Sequence, residues 1–424
     1  MLEIQKLRSQ TDNIVAALDK KGVQDAASTV QQILDIDEQR RATITELEQL
    51  RKQMNDASKS IGKLMQAGQR EEAEAAKKTT SAAKEKIKEL ETALTESEQA
   101  QNDLVVQLPN TPHESVPAGR NADDNVVVSE HKVDTSFDFK PLPHWDLARK
   151  HDLIDWELGS KITGAGFPVY KGKGARLQRA LIAFFLDQAH QMGYTEYMPP
   201  LVVNEASGFG TGQLPDKEGQ MYHIERDNLY LIPTAEVPIT NLFRNVVVQA
   251  AELPVKACGY TPCFRREAGS YGKDVKGLNR LHQFDKVEIV QVVHPEKSYD
   301  VLEEMTSYVE SLLVKLELPF RRLLLCTGDM SFTSAKTFDM EVFSAGQDRW
   351  LEVSSISNFE TYQTNRLKLR FKDGKKNQLA HSLNGSALAL PRIVAAMLEN
   401  HQQADGSIRI PEALVPYTSF DQIG

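Results

Sequence analysis

The sequence predicts an α+β protein in which an N-terminal antiparallel helical coiled-coil hairpin precedes a mainly antiparallel β-sheet flanked by helices. Two observations carry that expectation. Residues 1–108 contain no proline and no Phe, Tyr or Trp, and apolar residues recur through them in steps of three and four, the period of a coiled coil. From Pro109 onward the chain is rich in Gly, Pro, Phe and Tyr, and short apolar runs of period-two polarity alternate with amphipathic stretches. That pattern suits a half-buried antiparallel sheet with packed helices better than a doubly wound parallel one. The stretch PNTPHESVPAGRNADDN reads as a linker, so three segments are expected: a helical hairpin over 1–108, a linker over 109–125 and a sheet-containing domain over 126–424.

The first helix of the hairpin follows Ile33, Ile36, Arg40, Thr43, Leu47, Leu50, Met54, Ala57, Ile61 and Leu64. The returning helix follows Ala76, Thr80, Ala83, Ile87, Leu90, Leu94, Ser97, Gln101, Leu104 and Leu108, and Ala67-Gly68-Gln69 makes the turn between them. At about 1.5 Å per residue, a helix of some 35 residues spans roughly 50 Å, the dimension of an arm. Between residues 40 and 88 twelve Lys and Arg stand against seven Asp and Glu, a net charge of +5. Such a run serves either as a solvated coiled-coil face or as a basic probe for an extended polyanion, RNA foremost.

In the second segment VVVSEHKV and FPVYKG read as strands, and ARLQRALIAFFLDQAHQMG as an amphipathic helix closed by Gly193. KVEIVQVV, RRLLLCTG, TFDMEVF and RWLEVSS read as further strands. PEKSYDVLEEMTSYVESLLVKL is a long helix with Pro295 in its first turn, and ALPRIVAAMLENHQ is the last core helix.

Composition narrows the function classes. The chain has 424 residues, 41% of them hydrophobic, and a formal charge of -9, so wholesale disorder and indiscriminate binding of nucleic acid or anionic membranes are disfavoured. Cys258, Cys263 and Cys326 are too few for a four-ligand zinc site or a disulfide framework, so no zinc is expected, Cys258 and Cys263 are expected to be packing residues, and a reducing cytoplasm fits best. No apolar run approaches the roughly 20 residues of a membrane span, and the first residues lack a signal peptide's apolar stretch. No membrane partner is expected.

GAGFPVYKGKGARL and GSYGKD match neither the dinucleotide fingerprint nor the P-loop. The informative block is TPCFRREAGSYGKDVKGLNRLHQFDKVEIVQ. A strand ending in Phe264-Arg265-x-Glu267, a Gly- and Lys-rich loop, and Arg280-x-x-x-Phe284-x-x-x-Glu288 on a returning strand would gather guanidinium, carboxylates and an aromatic ring on one sheet face. An ATP-activating site needs that set: a fork for phosphate, a hydrogen-bonding edge and a stacking surface for the base.

This block resembles motif 2 of class II aminoacyl-tRNA synthetases. Gly193-Tyr194-x-x-Tyr197-x-x-Pro200-Leu201-Val202 is similar to their motif 1, which builds a homodimer interface, and HSLNGSALALPRIVAAMLENHQ is similar to motif 3. In this motif 3, Ala387 and Ala389 follow Gly385 where glycines alternate in the class, and Pro391 precedes Arg392; small residues keep the close backbone approach, and proline suits a first helical turn. With TGQLP at 211–215, LIPTAEVP at 231–238, EVSSISN at 352–358 and the hairpin itself, nearly the whole chain resembles the seryl-tRNA synthetase family of the bacterial type. The resemblance implies a class II catalytic domain over 126–424 and a tRNA-binding arm over 1–108.

It further implies ATP-dependent, AMP-forming activation of L-serine, then transfer to tRNA(Ser) and also tRNA(Sec). By the resemblance Arg265 clamps the α-phosphate and the serine carboxylate, Glu267 meets adenine, Phe284 stacks beneath it and Arg392 holds the γ-phosphate, with Arg265 and Arg392 as the catalytic pair. Arg266, Val353 and Ser354 complete the ATP site, and Glu352 and Ser355 hold Mg²⁺. Serine is held by Thr234, Ala235, Glu236, Arg265, Glu288 and Ser386; which of Glu236 and Glu288 meets its ammonium stays open. Two alternatives are a synthetase-like ligase acting on a carrier protein, whose relatives lack the arm and use a zinc pocket, and a non-catalytic coiled-coil paralogue, which would have lost Arg265, Glu288 or Arg392.

Overall fold

The heptad-patterned segment folds as two long antiparallel helices in the computed structural model, which describes residues 1–133, 137–267 and 276–424. Two units, Met1–Pro109 and Asn110–Gly424, are distinguished by their internal contacts. In the first, short helices α1 (Ile4–Ser9) and α2 (Thr11–Lys20) precede α3 (Ala26–Gln66) and α4 (Arg70–Val105). The α3–α4 turn places Gly68 at φ +76°, where a Cβ would be strained. All twenty heptad positions named above are buried or half-buried, and Leu47, Ile87 and Leu90 form one contiguous cluster with Leu50, Met54 and Leu94.

The heptads do not disclose Asp37, whose side chain is wholly buried and pairs with Arg8, Arg40 and Arg41 at 3.4, 3.4 and 3.0 Å. Gln101 Nε2 donates to the Ile33 carbonyl at 3.3 Å nearby, so a polar layer fixes the register of the hairpin. Toward the turn Arg51 pairs with Glu91, Lys77 with Glu74 and Lys86 with Glu89. Lys52, Lys59, Lys63, Arg70, Lys78, Lys84 and Lys88 are exposed and have no acidic partner among the described residues.

The second unit is built on an eight-stranded sheet. Its strands are β1 (Val126–His131), β2 (Thr195–Glu196), β3 (Val255–Phe264), β4 (Gln283–Val293), β5 (Phe320–Leu324), β6 (Lys336–Ser344), β7 (Arg349–Asn358) and β8 (His381–Ala389), in the order β1-β5-β6-β7-β8-β4-β3-β2. Every pair is antiparallel except β2 with β3. The run FPVYKG shrinks to Val169–Tyr170, which pairs with Ile154–Asp155 outside this sheet, because Pro168 donates nothing to a ladder and a helix starts at Gly172.

Helices α5 (His144–Lys150), α6 (Gly172–Gln191), α7 (Glu236–Asn241), α8 (Ser298–Lys315) and α9 (Leu390–Asn400) flank the sheet. Helix α6 buries Leu177, Ala180, Leu181, Phe184 and Phe185 as one stripe. It ends with Tyr194 N–H on the Ala189 carbonyl and Gly193, at φ +82°, on that of His190, the Schellman arrangement. Helix α9 is buried at every position except Arg392, so that guanidinium is its one outlet to the sheet's open side.

The alanines of the motif 3-like strand are accommodated. A Cβ on Gly385 would lie 2.9 Å from Ile356, while Ala387 is wholly buried and Pro391 sits in the first turn of α9. Cys258 and Cys263 are free and buried, as packing residues should be, and Cys326 is free and buried as well. The Gly- and Lys-rich loop expected between β3 and β4 lies mostly outside the described residues, which omit 268–275.

Candidate active site

The sheet brings the predicted residues to one face by register. Strand β4 faces β3 with Phe284 opposite Cys263 and Glu288 opposite Gly259, and faces β8 with Glu288 opposite Ser386. Phe284, Lys286 and Glu288 alternate onto one side of β4. Gly259 must be glycine, since a Cβ there would approach the Tyr197 carbonyl oxygen to 2.6 Å.

Arg265 follows β3 directly. Its N–H donates to the His282 carbonyl at 2.9 Å and its Nε to the Pro233 carbonyl at 3.3 Å, so the guanidinium lies 5.2 Å from the Phe284 ring centroid. Two residues on, Glu267 holds φ +49°, an uncommon region for a side chain of that size and one that marks functional turns. Its Oε2 accepts from Arg280 Nη1 at 2.9 Å. Arg266 between them is exposed. A ring with a guanidinium over it and, two residues beyond that arginine, a carboxylate paired with Arg280 thus follow from this strand pair.

Beside this set lies a second, buried one. Thr234 Oγ1 donates to Glu288 Oε2 at 3.1 Å, and Lys286 Nζ reaches the same oxygen at 2.6 Å and Thr234 Oγ1 at 2.8 Å. Glu236 opens α7. Its N–H donates to Thr234 Oγ1 at 3.2 Å, and its Oε1 accepts from Gln363 Nε2 at 2.6 Å. Gln363 Nε2 also donates to the carbonyl of Thr211 in the TGQLP string, and Ser382 Oγ donates to Gln363 Oε1 at 2.8 Å, which orients the amide. Burial, then the charge of Glu288, pushes the Glu236 carboxyl up to about 7. Ala235 packs against Ile239, Ala257 and Val290, so it supplies backbone rather than side chain to the pocket.

Lys286, Gln363 and Asn384 are the residues that spacing alone does not reveal here. Lys286 lies between two residues already singled out, and its FDKVE context is the available signal; Gln363 and Asn384 become neighbours of Glu236 only through the fold. Replacing Lys286 with Met should leave Glu288 buried without its cation. We expect a stability loss of about 3 kcal/mol, the usual cost of breaking a buried pair, which thermal unfolding checks.

Glu352 and Ser355 are three residues apart and would face opposite sides of a regular strand. A register shift between Met340 and Glu341 changes this: Glu352 stands opposite Glu341, and Ser355 opposite Asp339. Since Glu341 and Asp339 are two apart, this bulge turns Glu352 and Ser355 to the same face. Asp339 joins them, with Oδ1 buried and unbonded among the described residues and a carboxyl that burial, then Glu352, raises well above the carboxylate range. The Glu352 carboxylate and the Ser355 hydroxyl on that face are oxygen donors of the kind Mg²⁺ takes, a hard cation that shares its coordination with phosphate. Val353 turns into the core and Ser354 Oγ donates to the Ser386 carbonyl, so any contact these two make to a ligand is through the backbone.

Arg392 closes the face. Its Nη1 donates to the Glu352 carbonyl at 2.7 Å and lies 3.7 Å from Glu352 Oε2, while Nε donates to the Asn279 carbonyl at 3.1 Å.

Comparison with known proteins gives one consistent picture. The seryl-tRNA synthetase N-terminal domain family matches residues 1–112, and the tRNA synthetase class II core domain (G, H, P, S and T) matches residues 222–401. A serine–tRNA ligase of Salinibacter ruber is 54% identical over 100% of this chain and 99% of its own length. One of Solibacter usitatus is 47% identical over 100% and 99%. Among solved structures, seryl-tRNA synthetase from Pyrococcus horikoshii complexed with ATP superposes with a TM-score of 0.92 at 34% identity, covering 100% of this chain and 99% of that one.

Proposed function

The chain belongs to the seryl-tRNA synthetase family, and we propose that it is a serine–tRNA ligase that activates L-serine with ATP and passes it to tRNA(Ser). The observation that supports this most is the adjacency of two sets on β3 and β4: a nucleotide face made by Arg265, Glu267 and Phe284, and a buried polar pocket of Thr234, Glu236, Lys286 and Glu288.

The polar set has the chemistry for a small amino acid with a hydroxyl, a carboxylate for its ammonium and further acceptors and donors for its hydroxyl. Glu288 already carries the ammonium of Lys286, whereas Glu236 is bonded only to neutral amide, so the substrate ammonium goes to Glu236 and the substrate hydroxyl to Glu288 and Ser386. Alanine would leave these buried groups unpaired and threonine would add a methyl to a closed wall, which are unequal but real penalties.

No general base is needed. The serine carboxylate is the nucleophile: one of its oxygens attacks the α-phosphorus, the bond to the bridging oxygen of the β-phosphate breaks, and pyrophosphate leaves with that electron pair. Arg265 spans the attacking carboxylate and the α-phosphate and stabilises the charge gathered there, while Arg392 holds the γ-phosphate in line. Arg266, Val353 and Ser354 border the ATP site. Glu352 and Ser355 would hold Mg²⁺, which supplies neutralisation of phosphate charge. In the second step a hydroxyl of the terminal tRNA ribose attacks the seryl carbonyl, the bond from that carbon to the phosphate oxygen breaks, and AMP leaves with the electron pair while its phosphate takes up the hydroxyl proton.

The α3–α4 hairpin supports recognition of tRNA by shape, because its exposed unpaired cations suit the backbone of an extended duplex; tRNA(Sec) is a second substrate where present. Met198, 90% exposed, and Leu201, 37% exposed, in the motif 1-like stretch support a homodimer. No helix among the described residues is long and apolar enough to cross a membrane.

Two tests follow from the pocket. Serine-dependent exchange of pyrophosphate into ATP should be robust with serine and near background with alanine or threonine; equal exchange with all three would refute the assignment. The second concerns pH. With its carboxyl at about 7, Glu236 is largely protonated at a pH of about 6 in the free protein and ionised at about 8. A docked ammonium favours the ionised form, so binding releases a proton and serine affinity should rise over this interval. The folding linkage has the opposite sense for the free protein: a raised carboxyl costs stability as pH climbs from about 4.5 past 7. Calorimetry of serine binding in buffers of different ionisation enthalpy should detect the proton, and Glu236→Gln should abolish it.

A further inference from the structure

Glu399 lies on α9 two turns beyond Arg392, on the same side of the helix, and is completely buried. Its carboxylate gathers donors from three places. Oε1 accepts from the N–H and from Nδ1 of His144, at 2.9 and 2.7 Å, and from Gln347 Nε2 at 3.3 Å; Oε2 accepts from Gly346 N–H at 3.1 Å and from Ser344 Oγ. His144, also completely buried at the start of α5, uses its other ring nitrogen differently. Its Nε2 accepts from the backbone N–H of Leu278 at 2.8 Å, and Gly277 packs so tightly on the ring that a Cβ there would lie 2.2 Å from Nε2. Since a backbone N–H can only donate, Nε2 carries no proton and the ring is the Nδ1–H tautomer.

The next residue, Asn279, closes a circuit. Its side chain donates to Gln347 Oε1 at 2.9 Å, and its carbonyl accepts from Arg392 Nε at 3.1 Å. Helix α9 therefore determines the direction of its own arginine through a loop: Glu399 holds His144 and Gln347, these hold Leu278 and Asn279, and the Asn279 carbonyl holds the guanidinium.

We propose that His144 and Glu399 are positioning residues for Arg392, fixing the Asn279 carbonyl against which its guanidinium is aimed at the triphosphate. The inference rests on the reading of Arg392 as the ligand of the γ-phosphate. A group that only aims this arginine acts on ATP and leaves the serine pocket, built on other residues, untouched.

Serine-dependent pyrophosphate exchange by the full chain, with ATP and serine varied in turn, tests this. His144→Phe, which keeps the ring's bulk and removes both polar contacts, should raise the ATP KM roughly tenfold, the factor expected for one lost buried hydrogen bond, with the serine KM unchanged. His144→Gln, which restores an acceptor for Leu278 N–H, should recover part of the loss. On an Arg392→Ala background His144→Phe should add nothing further. If His144→Phe does not fold, as judged by circular dichroism, Asn279→Ala, which cuts the tie to Gln347 and keeps the carbonyl, should give the same split. Nitrogen-15 spectra of the native chain should show His144 protonated at Nδ1 and bare at Nε2. The proposal is overturned if the ATP and serine KM values move together, if neither moves, if the loss is undiminished on the Arg392→Ala background, or if the tautomer is reversed. Should Arg392→Ala itself leave the ATP KM unaltered, it is the reading of Arg392 that fails.

Discussion

Replacing Arg265 with Ala should lower serine-dependent pyrophosphate exchange by roughly 10³-fold or more while leaving the fold intact. The magnitude follows from what the side chain faces: it is asked to neutralise a carboxylate and a phosphate as they approach, in a site where groups are preorganised, and removing one such donor costs about 10²–10³; loss of the whole charge exceeds that. Among the described residues its half-buried side chain makes one hydrogen bond, to the Pro233 carbonyl, and lies over Phe284, so little of the described structure depends on it. Arg265→Lys should rescue poorly, because an ammonium cannot bridge two oxyanions as a planar fork does. Exchange within tenfold of the native rate in Arg265→Ala would sink the assigned role.

A large effect of another kind is expected at the hairpin. Changing Lys52, Lys59, Lys63, Arg70, Lys78, Lys84 and Lys88 together to Ala removes seven exposed cations and no seam residue. If they track tRNA phosphates, the tRNA KM in aminoacylation should rise at least about 100-fold, and the salt dependence of binding should flatten, since each lost phosphate contact removes nearly one unit of slope. Serine-dependent exchange, which needs no tRNA, should stay within about twofold. Unchanged charging by this variant would refute the arm's part and favour a solvated coiled-coil face.

The same hairpin shows what periodicity can disclose. Steps of three and four locate α3 and α4, because burial of one face dictates them, and every residue of the seam is at least half-buried. Helices α1 and α2 escape because they are too short to carry a heptad, and Asp37 because a buried carboxylate is stabilised by Arg8, Arg40 and Arg41 rather than by any apolar pattern. In the catalytic unit the long strands are legible from alternation, and Arg265, Glu267, Phe284 and Glu288 from their place at the ends and on one face of a hairpin.

Three kinds of information lie outside spacing. Bulges are invisible to it: Glu352 and Ser355 share a face only because a strand carries an extra residue. Lys286 is hidden by its neighbours, since a lysine within a strand ordinarily reads as solvent-facing, and here it is buried against Glu288 at 2.6 Å. Gln363, His144 and Glu399 each meet their partners across long stretches of chain, so tertiary contact alone reveals them.

The central claim is that this chain joins serine, and no other amino acid, to tRNA. Aminoacylation of total tRNA by the purified full-length protein, with ATP, Mg²⁺ and each of the twenty amino acids in turn, tests it most directly. The account predicts esterification with serine alone, onto tRNA(Ser) and, where present, tRNA(Sec). Charging with a different amino acid, or ATP-dependent activation of serine with no transfer to any tRNA, would contradict it.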